Sequence, residues 1–209
     1  MNYLSPSDYE NYGLEPTVPM ALVSAASSLI DAHCGRTTLS LARYTERLRV
    51  SGTGRVRLTY LPLVPIVAET SPTGTTPFAS VRARYAAVRG GTDELAAAVS
   101  QAFGMPGSWV SLTPSTVDYC AQTGELVLPA NALGVPFAEV EVNYQAGYGT
   151  LPDRVKVACA QIVKNAMATP ALNIRANSID RMHMQYFSDT LLDSTVRTLL
   201  SAYVAQKVG

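Results

Sequence analysis

From residue 140 the chain alternates. Val140, Val142 and Tyr144 are apolar and Glu141, Asn143 and Gln145 polar, the period-2 pattern of a half-buried strand. Gly147 and Gly149 break that strand, because glycine reaches backbone angles other residues avoid, and Pro152 and Asp153 suit the first turn of a following helix. A similar alternation runs through Tyr44–Val50 and Arg55–Leu61, on either side of the turn-forming Ser51–Gly54. It predicts a β-hairpin with Val56, Leu58 and Tyr60 on one face and Arg55, Arg57 and Thr59 on the other. Helical spacing marks three further stretches. Ala21, Leu22, Ala25, Ala26, Leu29 and Ile30 predict a helix over Val18–Cys34, with Thr17 as its cap and Gly35 as its stop. Val155, Ala158, Cys159, Ile162, Val163 and Ala166 predict one over Pro152–Ala168, and Leu192, Val196, Leu199, Leu200 and Tyr203 one over Asp189–Lys207.

Between the hairpin and residue 140 the signals are short. Pro62 and Pro65 confine a strand at Ile66–Glu69 to a sheet edge, and residues 70–80 read as a loop. Val81–Val88, Trp109–Leu112 and Gly124–Leu128 read as strands, with a short helix over Thr92–Phe103. Residues 170–187 have no clear period. The pattern predicts an α+β chain. Residues 1–42 and 150–209 form a small helical bundle, one N-terminal helix plus two C-terminal ones, and residues 43–149 a β-rich antiparallel insert.

Composition leaves this picture intact: 209 residues, 47% hydrophobic, suffice for one sizeable core or a core plus a subdomain. No stretch has the roughly 20 apolar residues of a membrane span, and Met1–Asp8 has neither the basic start nor the apolar run of a signal peptide. Charge does change it. The formal net charge is zero, but residues 1–35 hold four acids and no Lys or Arg, whereas residues 36–60 hold six arginines against Glu46 alone. Segregation of this kind suits a protein that sets one surface against a different surface of its neighbour.

Candidate chemistry is sparse. Cys34, Cys120 and Cys159 are widely separated and odd in number, so they read as buried free thiols. His33 and His183 lie in different regions, and no metal-ligand spacing or nucleophile motif surrounds either. Gly52-Thr-Gly54 lacks the lysine and helix of a phosphate loop. Asp189 and Asp193 share a helix face, where acids near a helix start answer to its dipole. Trp109 and the eleven tyrosines are not expected to cluster with Lys and Arg as a stacking platform for single-stranded nucleic acid would. No catalytic residue, metal ligand or cofactor is therefore expected.

The order of these pieces resembles a known family. Leu29-Ile-Asp-Ala-His-Cys-Gly-Arg36 closes the first helix and Tyr44-Thr-Glu-Arg-Leu48 follows. After the insert come Val140-Glu-Val-Asn-Tyr-Gln-Ala-Gly-Tyr-Gly149, then Leu151-Pro152 and a helix, and a last helix carries Leu199, Leu200 and Tyr203. This resembles the head–tail connector (adaptor, or head-completion) proteins of tailed bacteriophages, over residues 18–60 and 140–205. The resemblance implies a structural virion protein without enzymatic activity, assembled in the host cytoplasm as a homo-oligomeric ring, usually of twelve copies, beneath the portal protein. Such a ring extends the DNA channel, with non-specific DNA contact there, and offers a platform to tail or neck proteins. On this reading Arg197, Tyr203 and Lys207 are candidate portal contacts. Arg47, Arg49, Arg55 and Arg57 are candidate inter-subunit contacts. The long β-insert departs from the smallest family members. A tail-completion protein and an enzyme with a site of acids and tyrosines are the rival readings.

Overall fold

A computed structural model describes residues 2–66, 76–85, 109–129, 137–168, 176–179, 182–185 and 191–205, with backbone alone at 176–179 and 182–185. The chain divides into two compact units. One comprises Met1–Ser40 and Tyr148–Ala205, the other Leu41–Gly147, so each boundary falls two residues before the expected 42/43 and 149/150 junctions.

The first unit carries α1 (Met20–Cys34), α2 (Asp153–Ala168) and α3 (Ser194–Leu200), with α2 packed against both other helices. Its core contains Val23, Ala26 and Ile30 of α1, Val155, Ala158, Ile162 and Val163 of α2, and Val196 and Leu200 of α3. The buried face of α1 is rotated from the expected one, leaving Ala21 and Ala25 exposed. Ser27 lies on the buried face because its hydroxyl donates to the Val23 C=O (2.7 Å) and accepts from the Tyr3 N–H (3.0 Å). Pro19, not Thr17, stands at the N-cap, and Gly35 ends the helix with φ 63° as expected. The last helix is shorter than expected. It is seven residues long, begins at the Asp193 cap and passes into a 3₁₀ turn at Ser201–Tyr203. The unit also holds an antiparallel pair, β8 (Ala176–Ile179) with β9 (Met182–Gln185), where the sequence showed no period.

The second unit is built on β7 (Glu139–Ala146), the strand whose alternation is sharpest. Val140, Val142, Tyr144 and Ala146 are buried, and Glu139, Glu141, Asn143 and Gln145 only half-buried. β7 pairs antiparallel with β1 (Ala42–Arg49) on one side and β3 (Phe78–Arg84) on the other, and β4 (Trp109–Leu112) completes the order β1-β7-β3-β4. A second sheet has the order β2-β6-β5, from β2 (Arg55–Arg57), β6 (Glu125–Val127) and β5 (Asp118–Tyr119). The expected Tyr44–Leu61 hairpin is therefore corrected. Ser51–Gly54 does turn tightly, with the Gly54 N–H donating to the Ser51 C=O at 2.9 Å, but β1 joins β7 and β2 joins β6. The side-chain alternation survives because Val56 and Leu58 still bury against Leu126 and its neighbours while Arg55 and Arg57 stay exposed.

The chain is thus mixed α and β, as expected, but β-rich: nine strands against three α-helices among the described residues, not a helical bundle with a modest insert. The helix expected at Thr92–Phe103, most of the strand expected at Ile66–Glu69 and the Gln206–Gly209 tail lie outside the described residues.

Candidate functional site

The four arginines expected at an inter-subunit contact come together. Arg47, Arg49, Arg55 and Arg57 line a groove of about 850 Å³, bounded by Leu48–Ser51, Val56, Thr123 and Glu125. They reach it from two sheets, Arg47 and Arg49 from β1, Arg55 and Arg57 from β2, joined by the Ser51–Gly54 turn. Both pairs are exposed because β-alternation places Tyr44 and Leu48, or Val56 and Leu58, on the opposite, inward side. On the groove's rim, Gly124 has φ 70°, and an added Cβ would stand 2.6 Å from Leu61 Cδ2. Only glycine fits the turn that delivers Thr123 and Glu125.

Electrostatically the groove is basic. The Arg55 guanidinium pairs with Glu125 at 2.8 Å, and Arg57 Nε donates to the Thr123 C=O at 3.2 Å. Arg47 pairs with Glu139 at 2.7 Å, whereas Arg49 has no acidic partner among the described residues. Four arginines and one acid, Glu125, lie on the lining. The outer face of the four-stranded sheet continues this field. Arg84 shares Glu139 with Arg47, and Arg82 pairs with Glu141. Hydrogen bonds from Arg84 and then Arg47 hold the Glu139 carboxyl below the usual glutamate range.

Trp109 of β4 lies within this array. Its ring is approached by the guanidinium groups of Arg47 (5.2 Å), Arg84 (5.2 Å) and Arg82 (5.9 Å). The expectation that Trp109 stands apart from the basic residues is thus corrected. Those arginines come from β1 and β3, distant in sequence but adjacent once β7 aligns them. The register shows how: Arg47 and Arg82 both oppose Glu141, and Arg49 and Arg84 both oppose Glu139.

The candidate portal contacts separate. Arg197 is exposed on α3. Tyr203 is 8% exposed, a core residue set edge-on to Tyr148 at 5.7 Å between ring centroids. Lys207 lies outside the described residues. Asp193 serves as the α3 cap, accepting from the Val196 N–H at 2.7 Å, while Asp189 is outside the described residues. Cys34 and Cys159 are buried, and burial pushes both thiols up to about 11, whereas Cys120 is exposed, against expectation. It lies on the turn between β5 and β6, which gives it no core to enter. Among the described residues no three His, Cys, Asp or Glu side chains converge as metal ligands do, and no helix is long and apolar enough to cross a membrane.

Compared with known proteins, the chain matches no family model and no curated protein sequence.

Proposed function

We propose that this protein is a structural component of a phage neck: a head–tail connector that assembles as a ring beneath a portal and presents a platform to tail or neck proteins. The observation that carries this reading is the basic groove. Four arginines from two sheets converge on one exposed surface of the Leu41–Gly147 unit, and Arg49 has no acidic partner among the described residues. Such a surface suits an acidic face of a neighbouring chain. Two further features bear on it. The segments that resemble connector proteins, residues 18–60 and 140–205, contribute to both units: 18–40 and 148–205 to the helical one, 41–60 and 140–147 to the other. The surface arginines are fixed by β-register, so a rigid scaffold presents them.

The test is assembly. Mass measurement of purified protein with and without a portal ring should show a multi-copy ring that depends on the portal. Arg55→Glu with Arg57→Glu should impair that assembly. Raising the ionic strength should weaken it, because the screening length falls to about 8 Å near 0.15 M. A monomer indifferent to the portal at every salt concentration overturns the reading.

A further inference from the structure

Among the described residues β1 is an edge strand with an open outer edge. The register with β7, together with the bond from the Val50 N–H to the Ala138 C=O (2.9 Å), turns the backbone of Tyr44, Glu46, Leu48 and Val50 toward β7. The N–H and C=O groups of Arg43, Thr45, Arg47 and Arg49 therefore point away from it. Among the described residues no strand pairs with that edge, and no hydrogen bond to these backbone groups is made. An open edge is a template for one more strand.

This edge faces the arginine groove: Arg47–Val50 form one wall, and β2, itself the edge of the second sheet, forms the other. We propose that the groove receives an extended acidic peptide segment of a partner protein, which adds to β1 as a fifth strand. The proposal deepens the assembly reading above and rests on it for the acidic partner. Three features select this occupant. The edge offers donors and acceptors in alternation, which a peptide backbone matches and a phosphate backbone, with acceptors alone, does not. Arg49 stands on that strand with no acidic partner among the described residues, and a lining that carries four arginines favours carboxylates spaced as alternate residues of a strand. The same arginines repel the equivalent edge of a second copy, so β1-to-β1 pairing between copies is disfavoured while an acidic strand is admitted.

The test uses the full-length chain and a synthetic peptide of alternating Glu and Val, eight residues long to match β1. A control peptide of the same sequence is N-methylated at the residues whose N–H groups would pair, which keeps the charge and removes the donors. A single-stranded oligothymidylate of similar charge is the third probe. The unmodified peptide should bind, and binding should slow hydrogen exchange at the Arg47 and Arg49 amides, which have no hydrogen-bond partner among the described residues. The N-methylated peptide and the oligonucleotide should each bind at least about tenfold more weakly. Arg49→Gln, which breaks no ion pair and sets no like charge opposite Glu139, should weaken the peptide about tenfold while leaving the melting curve in place. Equal binding of both peptides, tighter binding of the oligonucleotide, or unchanged exchange at Arg47 and Arg49 overturns the proposal. A portal-dependent ring formed by a chain that ignores the peptide sinks this inference alone. Strand addition by a chain that ignores the portal sinks only the assembly reading.

Discussion

Asp193 holds the start of α3 through one charged acceptor. Its carboxylate takes the Val196 N–H at 2.7 Å and the Asn165 side-chain N–H at 3.1 Å, and the backbone bond to Val196 is the main reason its carboxyl sits below the usual aspartate range. A depressed carboxyl contributes stability that is fully present above the unfolded value of about 3.9 and is lost as pH falls through the lower folded value. Asp193→Ala should therefore cost about 1 kcal/mol in urea unfolding at neutral pH. Asp193→Asn, which keeps an acceptor, should cost less and should remove this residue's share of the acid-side loss. Equal stability of the wild type and Asp193→Ala at pH 7 would refute the cap's contribution. At this scale the sequence was a partial guide. The acid was legible as a helix-start residue, but Asn165, its second partner, comes from another helix. Tyr3 was not legible at all. Its hydroxyl donates to Asp31 and accepts from the Leu39 N–H at 2.8 Å, yet the N-terminal segment that brings it there has no helical or strand period.

Elements were legible where periodicity is local and illegible where pairing is not. The alternation of Val140–Gln145 foretold a strand buried on one side, and Val155, Ala158, Cys159, Ile162 and Val163 of the expected α2 face are buried, with Ala160 added to them and Ala166 only half-buried. The alternation about Ser51–Gly54 was also real, but a period says which side chains turn inward, not which edge a strand joins. Ala42 pairs with Ala146, across more than a hundred residues, and no local signal encodes that. The groove shares this fate: its four arginines were readable as a basic face, while their meeting across two sheets and the array of Arg47, Arg82 and Arg84 around Trp109 followed only from register. The helix face of α3 yields a sharper prediction than the sequence allowed. Leu200 is 0% exposed and Leu199 half-buried, so the two leucines are not equivalent. Leu200→Asp places an unpaired carboxylate in the core and should cost more than about 4 kcal/mol, unfolding the helical unit. Leu199→Asp can turn its charge to water and should leave a cooperative, lowered melt. Circular dichroism melts of the two variants separate these outcomes, and a Leu200→Asp protein that melts with the wild type would remove α3 from the core.

At the scale of the whole molecule, the chain forms two units from interleaved stretches of sequence, and the proposed portal contact can be tested at one residue. Tyr203 is a poor probe. It is buried against Tyr148, and the Ala205 N–H just beyond it donates to the Cys34 C=O at 2.8 Å, so truncation there perturbs the fold of the unit. Arg197 is a clean one. It is exposed on α3, and among the described residues it makes no ion pair. Arg197→Glu should change stability by no more than about 0.5 kcal/mol. On the proposed function it should still weaken docking to a portal ring, because reversing a rim charge slows electrostatically steered association. The readout is the association rate at low and physiological salt, beside a melt to show the fold intact. A rate unchanged at both salts would take α3 out of the docking surface and leave the arginine groove as the surface to examine next, with Arg49→Gln as the matching variant.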